Sequence, residues 1–103
     1  MKQTKKRRLE KAGWKIGTTR DFLQLSDQEA ALLEMRHQLA KSLRRLRQEQ
    51  ELTQEAVASV LGSSQSRVAK MEAGDSSVSL DLLVKANLAL GCTRQQIGRI
   101  LAR

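Results

Sequence analysis

Gln54–Ala73 reads QEAVASVLGSSQSRVAKMEA, and its spacing decides the fold. Val57, Ala58 and Leu61 recur at helical intervals, as do Val68 and Met71, with the polar run Ser63–Ser66 between them. This pattern predicts two short helices joined by a tight turn. Thr53 marks the start of the first and Gly62 its stop; Ser64 starts the second and Gly74 ends it. Two helices that cross steeply over a short turn need a small residue where they meet, and Ala58 supplies it. The turn needs a residue that tolerates positive φ, and Gly62 supplies that. Val57, Leu61, Val68 and Met71 then face the core.

Start and stop signals of the same kind continue in both directions. Upstream, Ser26 and Glu29 have capping-box spacing, and Asp27 and Glu29 suit the positive end of a helix. That helix is expected to run to about Gln50, with Leu32, Met35 or Arg36, Leu39, Leu43 and Leu46 as its apolar stripe. His37 falls near the stripe's edge, as a solvated or boundary residue. Leu52 and Val57 form a hydrophobic staple across the Thr53 cap. Downstream, Ser79 caps a helix stapled by Val78 and Leu83 and ended by Gly91. Thr93 and Gln96 form a second capping box, stapled by Cys92 and Ile97. Ile97, Ile100 and Leu101 serve either the core or a dimer seam. The expectation is an all-α, five-helix domain over residues 26–103.

Residues 1–25 have a different composition. Residues 1–13 are basic and poor in apolar side chains, with at most a short helix from Lys5 to Ala12, and predict a basic N-terminal arm. The Lys5–Arg8 run is either a plain tail or an arm for the minor groove of DNA. Trp14, Ile16, Phe22, Leu23 and Leu25 follow as an apolar cluster, expected to dock the segment back onto the domain. Trp14 and Phe22 are the aromatic residues of the chain.

The chain has 103 residues, enough to bury a core without metals or disulfides. Proline is absent, and Leu, Ala, Glu, Gln, Arg and Lys favour helix. With Cys92 and His37 alone of their types, an intrachain disulfide and a Cys- or His-based metal site are excluded. No apolar run approaches the roughly 18 residues of a membrane span. No apolar signal core follows MKQTKKRRLEK, so a cytoplasmic protein without cofactor is expected.

The net charge of +8 suits a polyanionic partner, but its distribution matters more. Residues 1–20 carry eight Lys and Arg against Glu10 alone. The basicity is therefore mostly the arm's, and polyanion binding by the helical domain must rest on a surface. The outward face of the Ser64–Gly74 helix is such a surface: Ser64, Gln65, Ser66, Arg67, Ala69 and Lys70, with no acid before Glu72. Amides, hydroxyls and cations are the groups that bond base edges and phosphates. Gln65 has the donor and acceptor that an adenine edge demands. Lys70 or Arg67 can meet guanine or a phosphate, and one of Arg44, Arg45 and Arg47 can add a phosphate contact.

LTQEAVASVLGSSQSRVAKMEAG resembles the helix-turn-helix of the XRE family, the phage repressor and Cro class. The likeness runs through Leu52-Thr53-Gln54, Ala58, Leu61-Gly62, Ser63 to Ser66, Val68 and Glu72 to Gly74; Ala56 departs from it, where the family usually has an acid or polar residue. The resemblance implies a phosphate clamp at Gln54 and base reading at Gln65, Ser66 and Lys70, with Ser64 at their edge. Beyond the motif, GWKIGTTRDFLQLSDQEAALLEMRHQLAKSLRRLR and DSSVSLDLLVKANLALGCTRQQIG are similar to HigA-type antitoxins. That implies an autorepressing dimer that also binds a RelE-like RNase toxin, with residues 13–25 carrying the toxin contact by family membership alone.

No constellation favours catalysis. A nucleophile needs a base and an orienting group, and the lone His37 sits on a long helix without a paired carboxylate. The sequence therefore points to a homodimer on double-stranded operator DNA. Gln65, Ser66 and Lys70 read bases, while Gln54, Arg67 and Arg45 hold phosphates. The rivals are a stand-alone repressor with no toxin partner and a toxin-sequestering protein whose DNA binding is secondary.

Overall fold

The computed structural model describes residues 26–103. The expected arm and docking segment, with the Lys5–Arg8 run, Trp14 and Phe22, lie outside the described residues. Among those described, the elements in chain order are α1 (Asp27–Glu49), α2 (Gln54–Leu61), α3 (Gln65–Ala73), α4 (Leu80–Ala89) and α5 (Arg94–Leu101). The all-α, five-helix expectation holds.

Each helix begins at the side chain that its sequence supplies. The Glu29 amide donates to Ser26 Oγ, and the Ser26 amide donates back to Glu29 Oε1, each at 3.0 Å. Thr53 Oγ1 accepts from the Ala56 amide at 3.0 Å, Ser64 Oγ from Arg67 at 3.2 Å and Ser79 Oγ from Leu82 at 3.1 Å. Thr93 and Gln96 close the second capping box. A cap of this kind contributes about 1 kcal/mol, which matters most for helices of two or three turns.

The stops are as local. Gly62 sits at φ 64° and Gly74 at φ 70°, in the left-handed region open to glycine. After each, the chain folds back on the helix it has left: the Ser63 amide donates to the Ala58 carbonyl at 2.8 Å, and the Asp75 amide to the Lys70 carbonyl at 3.0 Å. α1 ends the same way without a glycine, with Glu51 at φ 58°.

Glu34–Arg103 form a compact unit that holds the core. Leu39, Leu43, Val57, Val68, Met71 and Leu83 are fully buried, with Ala58 and Ala86 buried among them. The α1 stripe buries only from Leu39 onward, and Leu32 is exposed. Ile97 and Ile100 are buried within the chain as part of the core, and Leu101 is half-buried against it. α2 packs chiefly on α3, and α4 touches both α2 and α5.

Three polar ties close the bundle over long sequence distances. Asn87 is fully buried, and its Nδ2 donates to the carbonyls of Leu39 at 3.1 Å and Leu83 at 2.8 Å. Gln50 Nε2 donates to the Leu90 carbonyl at 2.6 Å, and the Arg36 guanidinium to the Val78 carbonyl. α1 is thereby held to α4 and to the segments at both its ends, leaving α2 and α3 as the hairpin that carries the surface of interest.

Candidate nucleic-acid interface

α3 buries one side and presents the other. Val68 and Met71 are fully buried, while Gln65, Ser66, Arg67 and Lys70 are exposed. This is the division that a 3.6-residue period imposes once Val68 and Met71 face inward. Ser64 is exposed at the start of α3, but its hydroxyl is already engaged. It accepts from the Arg67 amide and lies 3.3 Å from Ser66 Oγ. Ser64 thus shapes the start of the helix and stands at the edge of the surface.

A relay of hydrogen bonds connects α1 to this surface. Arg47 Nε donates to Glu72 Oε2 at 2.6 Å, and its second terminal nitrogen donates to Glu72 Oε1 at 3.1 Å. Arg47 Nη1 also donates to the Leu52 carbonyl at 3.0 Å, at the entry to α2. The hydrogen bond to Glu72 pushes the arginine pKa still higher, so the guanidinium is permanently charged. Glu72 Oε1 accepts a further bond from Gln54 Nε2 at 3.1 Å, and Gln54 Oε1 accepts from Gln65 Nε2 at 2.6 Å.

The chemistry of the relay fixes the direction of each amide. An ionised carboxylate only accepts, so Gln54 must turn its NH₂ to Glu72 and its oxygen outward. That oxygen draws the NH₂ of Gln65. Gln65 keeps its Oε1 and its second N–H for an external partner, one acceptor beside one donor.

Cations border the relay. Arg44, Arg47, Gln54, Ala69, Glu72 and Ala73 line an open depression between α1 and the hairpin. Arg47 is committed to Glu72, which leaves Arg44 as the exposed α1 cation on this side. Arg45 does not line that depression. It pairs with Glu49 at 3.2 Å, both side chains more than half exposed, and its charge reaches Cys92 in the α4–α5 corner. The structure therefore brings Gln54, Gln65, Ser66, Arg67 and Lys70 to one hairpin, with Ser64 at its margin, and leaves Arg45 outside that group.

The sequence reading named Arg44 and Arg47 among three arginines for a phosphate contact, but missed the tie from Arg47 through Glu72 to Gln54. The Glu72 side chain is 5% exposed, so the one acid of α3 does not face outward. The signal for it was slight: a single acid on a helix otherwise free of them, opposite an arginine at the edge of an apolar stripe.

Among the described residues no helix is long and apolar enough to cross a membrane, and no cluster of His, Cys, Asp or Glu could hold a metal ion. A helix-turn-helix family model matches residues 43–97, from the buried face of α1 into α5 and just over half of the chain. No curated protein and no solved structure matches the chain.

Proposed function

Because the chain belongs to the XRE-type helix-turn-helix family of DNA-binding transcriptional regulators, we propose that it represses a promoter by laying α3 in the major groove of operator DNA. Gln65, Ser66 and Lys70 read base edges, with Ser64 at their margin, and Gln54 and Arg67 hold phosphates. Arg45 or Arg44 adds a phosphate contact from α1; Arg44 lines the depression beside Gln54, while Arg45 is exposed and pairs with Glu49.

One observation carries this reading: the relay from Arg47 through Glu72 and Gln54 leaves Gln65 with a directed acceptor and donor. That pair matches N6–H and N7 of an adenine in the major groove. The site is organised before DNA arrives, so little ordering cost falls on binding.

The acting species in this reading is a homodimer, because two recognition helices one turn apart match a palindromic operator. Ile97 and Ile100 are buried inside one chain, so this reading draws the seam from other residues. The finer role we infer is that of an autorepressing antitoxin with a RelE-like toxin partner. Its support is the likeness of the segments flanking the motif to HigA-type antitoxins. A neighbouring gene for a small RelE-like RNase favours it, and absence of one favours the stand-alone repressor. Deleting residues 1–25 should abolish toxin capture, and full capture by the truncated chain would overturn the role given to that segment.

Footprinting on DNA from the protein's own promoter tests the central reading. Two protected half-sites related by a two-fold, about one helical turn apart, are expected. Equal affinity for that DNA and for a random duplex of the same length would overturn it.

A further inference from the structure

Ala69 sits among the groups of α3 assigned to DNA, and it is chemically unlike them. α3 is helical from Gln65 to Ala73, so Ala69 lies one turn beyond Gln65 and Ser66, on the side turned away from the buried Met71. It is half-buried and lines the open depression that Gln54 also lines. Gln54 Oε1 accepts the 2.6 Å bond from Gln65 Nε2, so the alanine methyl and the two amides share one patch. Gln65, Ser66, Arg67 and Lys70 each carry a hydrogen-bonding group, and Ala69 carries none. Ala69 also lies outside the buried core, so packing within the chain does not call for an apolar group there.

A side chain without donor or acceptor, pressed on a base edge, leaves any polar group that it covers without a partner. The major groove offers one apolar group, the 5-methyl of thymine. Cytosine, guanine and adenine present only polar groups there, and Ala69 can answer none of them. Four residues of helix advance roughly 6 Å, and successive base pairs lie about 3.4 Å apart. Gln65 and Ala69 therefore reach base pairs about two steps apart at most. We propose that Ala69 is a specificity-determining residue: its methyl selects thymine, through the 5-methyl group, close beside the adenine that Gln65 meets. The inference rests on the DNA-binding reading above and adds to it a base chosen by apolar contact and by the cost of an unanswered polar edge.

The test places uracil for thymine, one position at a time, in the footprinted half-sites of the promoter fragment. Uracil keeps the base pair and removes only the methyl. At one position in each half-site the wild-type chain should lose about three- to fivefold in affinity, the worth of one buried methyl. At that same position 5-methylcytosine should bind more tightly than cytosine. In Ala69→Gly the uracil penalty at that position should disappear, while penalties elsewhere stay, because the two methyls act as a pair. A melting curve verifies the fold of this variant. Ala69→Ser, which keeps the Cβ and sets a hydroxyl against the methyl, is the second variant and should also erase the penalty. Uracil penalties that are the same in wild type and in both variants, with the wild type binding the promoter selectively, overturn this inference alone. So does the lack of any uracil penalty in the wild type. If the wild-type chain does not prefer the promoter to a random duplex of equal length, the DNA-binding reading and this inference fall together.

Discussion

Arg47 and Glu72 stand 25 positions apart and meet through two hydrogen bonds, at 2.6 and 3.1 Å. Their side chains are 16% and 5% exposed. An ion pair this sheltered gains little over an apolar pair of equal shape, but removing one partner leaves the other charge buried. Arg47→Ala should therefore destabilise the fold by about 3 kcal/mol, measured by urea unfolding. It should also weaken promoter binding, because Glu72 no longer orients Gln54. A loss below about 1 kcal/mol would place the pair among ordinary surface contacts.

Gln65→Ala should cost about 1–3 kcal/mol on the promoter site and relax preference at one base pair. Binding to random DNA should change little. Competition against a panel of single-base operator variants checks this, and equal losses on every duplex would remove Gln65 from base reading.

Two backbone substitutions should stabilise the fold. Glu51 occupies φ 58°, which strains an L side chain by about 1–2 kcal/mol, so Glu51→Gly should gain part of that. Gly98 lies within α5, and a Cβ there would meet nothing within 4 Å, so Gly98→Ala should gain about 0.5–1 kcal/mol. Each gain should appear as a rise of a few degrees in Tm. Sedimentation of Gly98→Ala adds a second readout. A dimer weakened as the chain becomes more stable would mean that a second copy packs on this bare face of α5.

The Cys92 thiol is buried, and burial pushes its pKa up, with Arg45 partly opposing. The folded state therefore holds its thiol proton to higher pH than the unfolded chain, whose thiol titrates near 8.5. Stability from this source is complete below about pH 8.5 and is lost as pH rises toward the folded value. Urea unfolding at a series of alkaline pH values should show that decline, and Cys92→Ala should flatten it. Thiol reagents should label native Cys92 slowly and the unfolded chain fast.

Most of the fold was legible because its signals are local. The caps at Ser26, Thr53, Ser64, Ser79 and Thr93, and the glycines at 62, 74 and 91, act on residues within one turn of themselves. The outward face of α3 was legible for the same reason, since Val68 and Met71 leave only one set of residues outside. What the sequence hid lies across long separations. Nothing within a turn of Arg47 announces Glu72, and only the folded chain shows that Arg44, and not Arg45, lines the depression that Gln54 also lines. The fate of Ile97 and Ile100 was hidden too, because a buried face reads the same whether its own chain or another covers it.

The local character of the helix boundaries also bears on how quickly the chain reaches its fold. Five helices that each find their ends without distant help give a low contact order, and domains of that kind fold in microseconds to milliseconds. The few long ties, Asn87 to Leu39 and Gln50 to Leu90 among them, form after the helices meet. Cutting them should leave the folding rate nearly unchanged and speed unfolding, so they determine how long the folded molecule lasts once formed.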